Sequence, residues 1–311
     1  MKKILAAIII LVLFVMLACS VSYAENLRTL MANAELGDAE SMNRIGVMYH
    51  DGKDVKQDYA EALIWYRKAA DLGNAHAFDN LGWMYQNGNG VRADLNRALE
   101  YYKKGAEGGV LRSINQIGWF YENGLAGLDP DNRKAAEYYQ DAAEHGYISA
   151  QRNIARLYEN GRGGIAQDYA EAFKWYKKAA DQNHPASLNQ IGYYYQQGRG
   201  TAVNFKKAFD YYTRAAVLGD SDAQNNLGVM YFNGQFVKQN FRKAFECYKK
   251  AADMGNPTAQ YNVGNMYEQG KGISINGPKA REWYMKAYRN PNSSDEIRKL
   301  AKDGYGRMGG R

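Results

Sequence analysis

The residues of this chain best suited to metal binding or nucleophilic chemistry are four histidines and two cysteines. A metal centre on helices needs ligands one turn apart, but His50, His76, His145 and His184 form no His-x-x-x-His or Glu-x-x-His pairing. His184 stands in a helix-capping position before Pro185. His145 ends a helix, where a cation suits the negative end of the dipole. Cys247 fills a slot that elsewhere holds an aromatic ring, and no histidine lies at a corresponding place in its unit, so it reads as a packed thiol. The stretches Gly88-Asn89-Gly90 and Gly198-Arg199-Gly200 lack the lysine and preceding strand of a phosphate-binding loop, which leaves them as turns. A serine-hydrolase elbow is missing. The chain is expected to carry no catalytic residue, metal or cofactor, and to act by binding.

What would position a binding surface is a repeat. An aliphatic-glycine step recurs at Gly46, Gly82, Gly118, Ala155, Gly192, Gly228 and Gly264, in steps of 36 or 37 residues. A tyrosine follows three residues later (Tyr49, Tyr85, Tyr121, Tyr158, Tyr195, Tyr231, Tyr267), then a loop glycine. Each unit reads as helix, glycine loop, helix. Asp38, Asn74, Asp220 and Asn256 are expected to cap first helices, and Pro185 and Pro257 suit the first turn. Asp58, Asp94, Asp131, Asp168, Asn204, Asn240 and Asn276 are expected to cap second helices, with Glu61 and Glu171 completing capping boxes. In the second helix, Ala62 and its equivalents alternate with bulky pairs such as Trp65-Tyr66 and Tyr101-Tyr102. Small against large at helical spacing lets two backbones approach closely. A glycine inside a helix costs about 1 kcal/mol against alanine, so its repetition implies crowding by a neighbouring helix.

The termini read differently. Lys2-Lys3, the apolar run Ile4 to Ala18 and Ser22-Tyr23-Ala24 have the layout of a secretory signal peptide cut after Ala24. Acylation at Cys19, as in a lipoprotein, is the alternative, though Leu17 is a poor fit to it. With Lys2 and Lys3 gone, two of 40 basic groups are lost against 33 acidic ones, so the formal charge falls from +7 to about +5. Both signs are interspersed, which disfavours a phosphate-tracking face and hence nucleic acid. Cleavage leaves Cys247 as the lone cysteine, so packing alone must hold the exported chain together. The expected domains are a signal peptide over 1–24, a capping half-repeat over 25–36, seven repeats over 37–290, and a capping helix and tail over 291–311. Within the last, a polar helix is expected over Ser294 to Lys302 and a loose tail from Gly304.

Taken together, the aliphatic-Gly-x-x-Tyr-x-x-Gly pattern, the Asp/Asn cap, the alanines and the aromatic pair resemble the Sel1-like repeat family, relatives of the tetratricopeptide repeats. The likeness covers residues 37–290, and a step longer than the 34 residues of tetratricopeptide units points to the Sel1-like branch. Departures at Ala155, Asn183, Gly105, Tyr288 and Cys247 are expected to mark local slackness. The resemblance implies an all-α fold, a right-handed α/α superhelical solenoid of seven helix-turn-helix repeats between N- and C-terminal capping helices. It implies an adaptor or scaffold, and exported bacterial members are often linked to envelope assembly or host contact. A branch rich in paired cysteines is associated with β-lactamase activity; those cysteines are absent here, and the activity is not carried over.

Advancing 100° per residue from the first-helix glycine places Ile45, Met48, Tyr49 and Met42 on one stripe, the expected core. The position after the glycine points the other way and holds Val47, Trp83, Trp119, Arg156, Tyr193 and Val229. One turn earlier on that face stand Asp79, Asn115, Arg152 and Asn189. First helices line the concave side of helix-pair solenoids, so these ten residues are the expected partner-binding face, with aromatic and arginine anchors typical of hot spots. The alternative is that the rings pack against neighbouring first helices. A protein or peptide partner bound by a monomer is the expected role, in the periplasm or secreted, with membrane contact only through a lipid on Cys19. A peptidoglycan or glycan ligand, or an enzyme of unknown type, are the rival readings.

Overall fold

A computed structural model describes residues 27–309. The expected signal peptide, its cleavage site after Ala24 and Cys19 lie outside these residues. Two compact units divide the chain between Tyr147 and Ile148. The N-terminal unit holds α1 (27–35), then the pairs α2 (Ala39–Asp51) and α3 (Tyr59–Asp71), α4 (Ala75–Asn87) and α5 (Leu95–Glu107), and α6 (Leu111–Asn123) and α7 (Asn132–Glu144). The C-terminal unit holds α8 (Ile148–Asn160) and α9 (Tyr169–Asp181), α10 (Pro185–Gln197) and α11 (Phe205–Val217), α12 (Ser221–Asn233) and α13 (Phe241–Asp253), α14 (Pro257–Gln269) and α15 (Gly277–Arg289), and finally α16 (Asp295–Arg307). Within each unit, paired helices pack on each other and on the next pair, as expected of a helical solenoid.

The helix glycine has a specific cause. A Cβ built on Gly46, Gly82, Gly192 or Gly228 would stand 2.6–2.7 Å from the ring of Tyr66, Tyr102, Tyr212 or Tyr248 of the paired helix. The ring therefore lies directly on backbone. Where Ala155 replaces glycine, the corresponding Tyr176 is the most exposed of the seven tyrosines, at 8%. In each repeat, too, the backbone N–H of the second-helix cap donates to the carbonyl of the repeat tyrosine, as Asp94 to Tyr85 and Asn204 to Tyr195, at 2.8–2.9 Å.

That bond corrects one expectation. The N–H groups of Asp58 and Asp168 are spent on Tyr49 and Tyr158, so Glu61 and Glu171 form no capping box; Glu171 pairs with Lys174 instead. The caps themselves form in all seven second helices. Asn183 keeps the turn of its glycine counterparts with φ +58°, which asparagine tolerates, so its departure is no slackness. His184 caps α10 by accepting the Ser187 N–H on Nδ1 at 3.2 Å. Burial first, and Arg152 second, push its pKa down, so the ring stays neutral and Nδ1 keeps its lone pair.

The ends are closed by helices. Leu30 and Ala34 of α1 are buried with Ile45 and Met48. At the other end the structure corrects the expected tail: α16 continues to Arg307, because Gly304 sits against the Tyr284 ring and Arg307 makes two bonds of 2.9 and 3.0 Å to Glu268. No helix among the described residues is long and apolar enough to cross a membrane.

Two outcomes follow. Gly192→Ala, which would stabilise an isolated helix, is expected to destabilise this one by roughly 1–3 kcal/mol through overpacking on Tyr212, read by denaturant melting. A histidine with a depressed pKa contributes stability that is present above its unfolded value and lost as pH falls through the folded one. Stability of the chain should therefore drop slightly as pH falls below about 6.5, and His184→Asn should remove that component of the pH profile.

Candidate functional site

The expected binding face divides between the two units, and each part stands by itself. In the N-terminal unit, Asp79 and Asn115 are buried, at 3% and 7% exposure, not open as expected. The reason is that a first helix in a stack packs on its paired helix, on the second helix of the preceding repeat and, through side chains, on the first helices beside it. The polar side chains there are spent on stacking. Asn80 Nδ2 donates to Asn43 Oδ1 at 3.0 Å, and Asn80 Oδ1 accepts from Arg112 Nη2 at 2.7 Å. The C-terminal unit repeats the rung: Asn226 donates to Asn189 at 3.0 Å and Asn262 to Asn225 at 2.9 Å.

Between α4 and α6 the asparagine rung is replaced by an ion pair. The buried Asp79 carboxylate accepts from Arg112 Nε, pairs with Arg112 Nη2, and takes the Ser113 hydroxyl at 2.7 Å. Burial works against the Arg112 charge and the Asp79 carboxylate overrides it, so the guanidinium is held above its already high pKa. The same group explains Gly105, which was expected to mark slackness. A Cβ there would collide with Ser113 Oγ, so the missing methyl makes room for the hydroxyl that serves Asp79.

Around this pair lies open surface. A cavity of about 780 Å³ runs along α2, α4 and α6 past Arg44, Val47, His76 and Arg112. A second, of about 390 Å³, is lined by Val47, His50, Tyr66, Asn80, Trp83 and Arg112, with Asp51 at its edge. Val47, 36% exposed, belongs to both. Trp83 and Trp119 are half-buried and pack on the core of the unit. Trp83 meets the His50 imidazole edge-on, with ring centroids 4.8 Å apart. His50 Nδ1 lies 2.6 Å from Asp51 Oδ1, while its Nε2 is buried with no hydrogen-bond partner among the described residues.

In the C-terminal unit, Arg152 is exposed while Arg156, Asn189 and Val229 are partly buried. Tyr193 is covered by the Arg199 guanidinium, 5.1 Å from the ring centroid, so its ring is not the bare anchor expected of it. Val229 packs against the core. Lysines one turn on shield the second-helix tryptophans, as Lys178 does Trp175 at 3.9 Å, leaving Trp83 and Trp119 without such a cover among the described residues. No three His, Cys, Asp or Glu side chains among the described residues are grouped as a metal centre would require. Sequence reasoning missed His50, Arg112 and Ser113. A signal did exist: Asp79 is a carboxylate in a position otherwise held mostly by asparagine, one repeat before Arg112.

The sequence pattern of the family described as Sel1 repeat matches residues 39–74, 79–110, 111–147, 148–184, 185–220, 221–256 and 257–292. Among solved structures, the chain is similar to c5321, a protective antigen present in uropathogenic Escherichia coli strains displaying an SLR fold. The two are 29% identical with a TM-score of 0.74, over 90% of this chain and 63% of that one. The chain thus spans less than two thirds of that antigen's length. It is also similar to a Sel1 repeat protein from Oxalobacter formigenes, 31% identical with a TM-score of 0.68, over 91% of this chain and 81% of that one. No curated protein matches it.

Arg112→Ala should destabilise the chain by roughly 2–4 kcal/mol, since it strands a buried carboxylate. Asp79→Asn, which restores the side chain of the neighbouring rungs and keeps an acceptor for Ser113, should cost less than about 1 kcal/mol. Equal losses in the two variants, measured by urea unfolding, would mean that the pair is not what holds α4 to α6.

Proposed function

Since the chain belongs to the Sel1 repeat family, we propose that it is a non-catalytic adaptor that docks a protein or peptide partner on the first-helix face of its N-terminal unit. Solenoids of this kind typically serve as protein-interaction scaffolds. The observation that carries the reading is the meeting of two cavities at Val47, Asn80 and Arg112, beside the half-buried ring of Trp83, over which no lysine or arginine lies among the described residues. Apolar surface, an aromatic ring and an arginine held by its own carboxylate form a prepared anchor site. The reading extends to an exported monomer, periplasmic or secreted after cleavage at Ala24, with a lipid on Cys19 as the alternative. Its support is the layout of the first 24 residues. In the C-terminal unit, taken by itself, the exposed Arg152 on α8 is proposed as a polar contact for a partner.

Photocrosslinking from the exposed Val47, with Glu137 on α7 as control, tests this directly. Protein adducts from position 47 alone are expected, and in the chain without the photoreactive residue Val47→Glu should abolish capture of the same partner while changing stability by no more than about 0.5 kcal/mol. Retention on isolated cell-wall material in place of protein adducts would instead favour a glycan ligand.

A further inference from the structure

Two tyrosine hydroxyls depart from the rule of the array, and one of them leaves polar groups unjoined. In five repeats the tyrosine lying over the helix glycine position donates its O–H to a glutamine or glutamate four residues beyond that position. Tyr102 donates to Gln86 at 2.7 Å, Tyr139 to Glu122 at 2.8 Å, Tyr176 to Glu159 at 3.0 Å and Tyr212 to Gln196 at 2.8 Å; Tyr284 donates to Glu268. In the sixth repeat the acceptor is replaced by Phe232, which offers nothing polar. In the first it is replaced by His50, and there the polar groups remain but are not joined. Tyr66 makes no hydrogen bond through its hydroxyl among the described residues, and His50 Nε2 is buried without a partner. Both line the cavity of about 390 Å³ together with Arg112 and Trp83.

The hydrogen-bonding polarity of that cavity can be worked out. Asp51 accepts only, so the His50 nitrogen 2.6 Å from it carries the proton, and in the neutral ring Nε2 is then a lone-pair acceptor. Burial above all, and Asp51 next, push the Tyr66 pKa up against the pull of Arg112, so its O–H stays a donor at physiological pH. Arg112 spends Nε and Nη2 on Asp79 and Asn80, which leaves Nη1 as a further donor without a partner among the described residues. The cavity therefore combines two unspent donors with the lone pair of His50 Nε2, beside the Asp51 carboxylate. Its arginine is already neutralised by Asp79, and Asp51 faces the same space, so an added carboxylate is poorly matched. A neutral group that both accepts and donates is well matched.

We propose that this cavity is an anchor pocket for the primary amide of an asparagine or glutamine side chain on the bound peptide. The amide carbonyl accepts from Tyr66 and Arg112, its NH2 donates to His50 Nε2, and the methylenes lie against Val47 and Trp83. This assignment rests on the peptide-docking reading above and makes it specific.

The test uses the chain labelled with 15N-histidine and titrated with N-acetyl-glutamine N-methylamide, the glutamate and methionine analogues, and N-acetylglucosamine. The glutamine compound is expected to saturate the His50 Nε2 shift in the millimolar range, and the glutamate and methionine compounds to bind roughly tenfold or more weaker. His50→Gln supplies the acceptor that Tyr102 and Tyr212 already have, so it should keep or raise the melting temperature while abolishing binding of the glutamine compound, read for this variant from the ligand's own NMR signals. Tyr66→Phe, which leaves the ring over Gly46, should weaken binding roughly tenfold. Equal shifts with the methionine compound, or no shift with any, overturn the amide pocket. Tighter binding of N-acetylglucosamine overturns the peptide assignment. Protein crosslinks from Val47 without an amide response leave the adaptor reading standing and remove this one; an amide response without crosslinks overturns the adaptor reading and with it the peptide as the source of the amide.

Discussion

A tyrosine ring laid on a helix glycine sets the separation of the two helices in six of the seven repeats. The contact has no tolerance for a methyl group, because a Cβ at most of these positions would lie within 2.9 Å of ring carbon. Everything else in a repeat follows from that approach. In five repeats the hydroxyl at the far end of the ring reaches a side chain one turn beyond the glycine position. The alanines of the second helix close the remaining gap, and the cap of that helix comes near enough for its N–H to meet the repeat tyrosine's carbonyl.

Stacking of one repeat on the next uses a different device. Asparagine rungs satisfy buried polar groups between successive first helices. Between α4 and α6 the rung is ionic, and the local sequence is fitted to it, from Ser113 to the missing methyl at Gly105. A buried ion pair is weak evidence of stability, since desolvation offsets most of its attraction. It does fix Arg112 in place, and Arg112 borders both of the cavities that meet at Val47. A charge already matched by its own carboxylate can orient a polar ligand without demanding an anion.

Much of the fold was legible beforehand. Helix pairs, caps at Asp58 and its equivalents, Pro185 and Pro257 at first turns, and crowding at Gly46 and its equivalents all follow from local chemistry at regular spacing. The candidate site was legible only in outline. Asp79 and Asn115 were expected in water because an angular count on one helix knows a single core direction, whereas a stacked helix is covered on two sides. Tyr193 was expected bare because no rule of spacing brings Arg199, from the following loop, over its ring.

The division has a physical basis. The amino-acid sequence alone determined the period, the helices and the crowding at the helix glycine, since each depends on residues at fixed short separations within one repeat. Only the tertiary structure decided which polar groups are consumed by neighbours and which remain. Asp79 meets Arg112 across 33 residues, and His50 lies against Trp83 of the next repeat. Those outcomes depend on the rotation between successive helix pairs, which is set by packing over the whole contact and by no short run of residues.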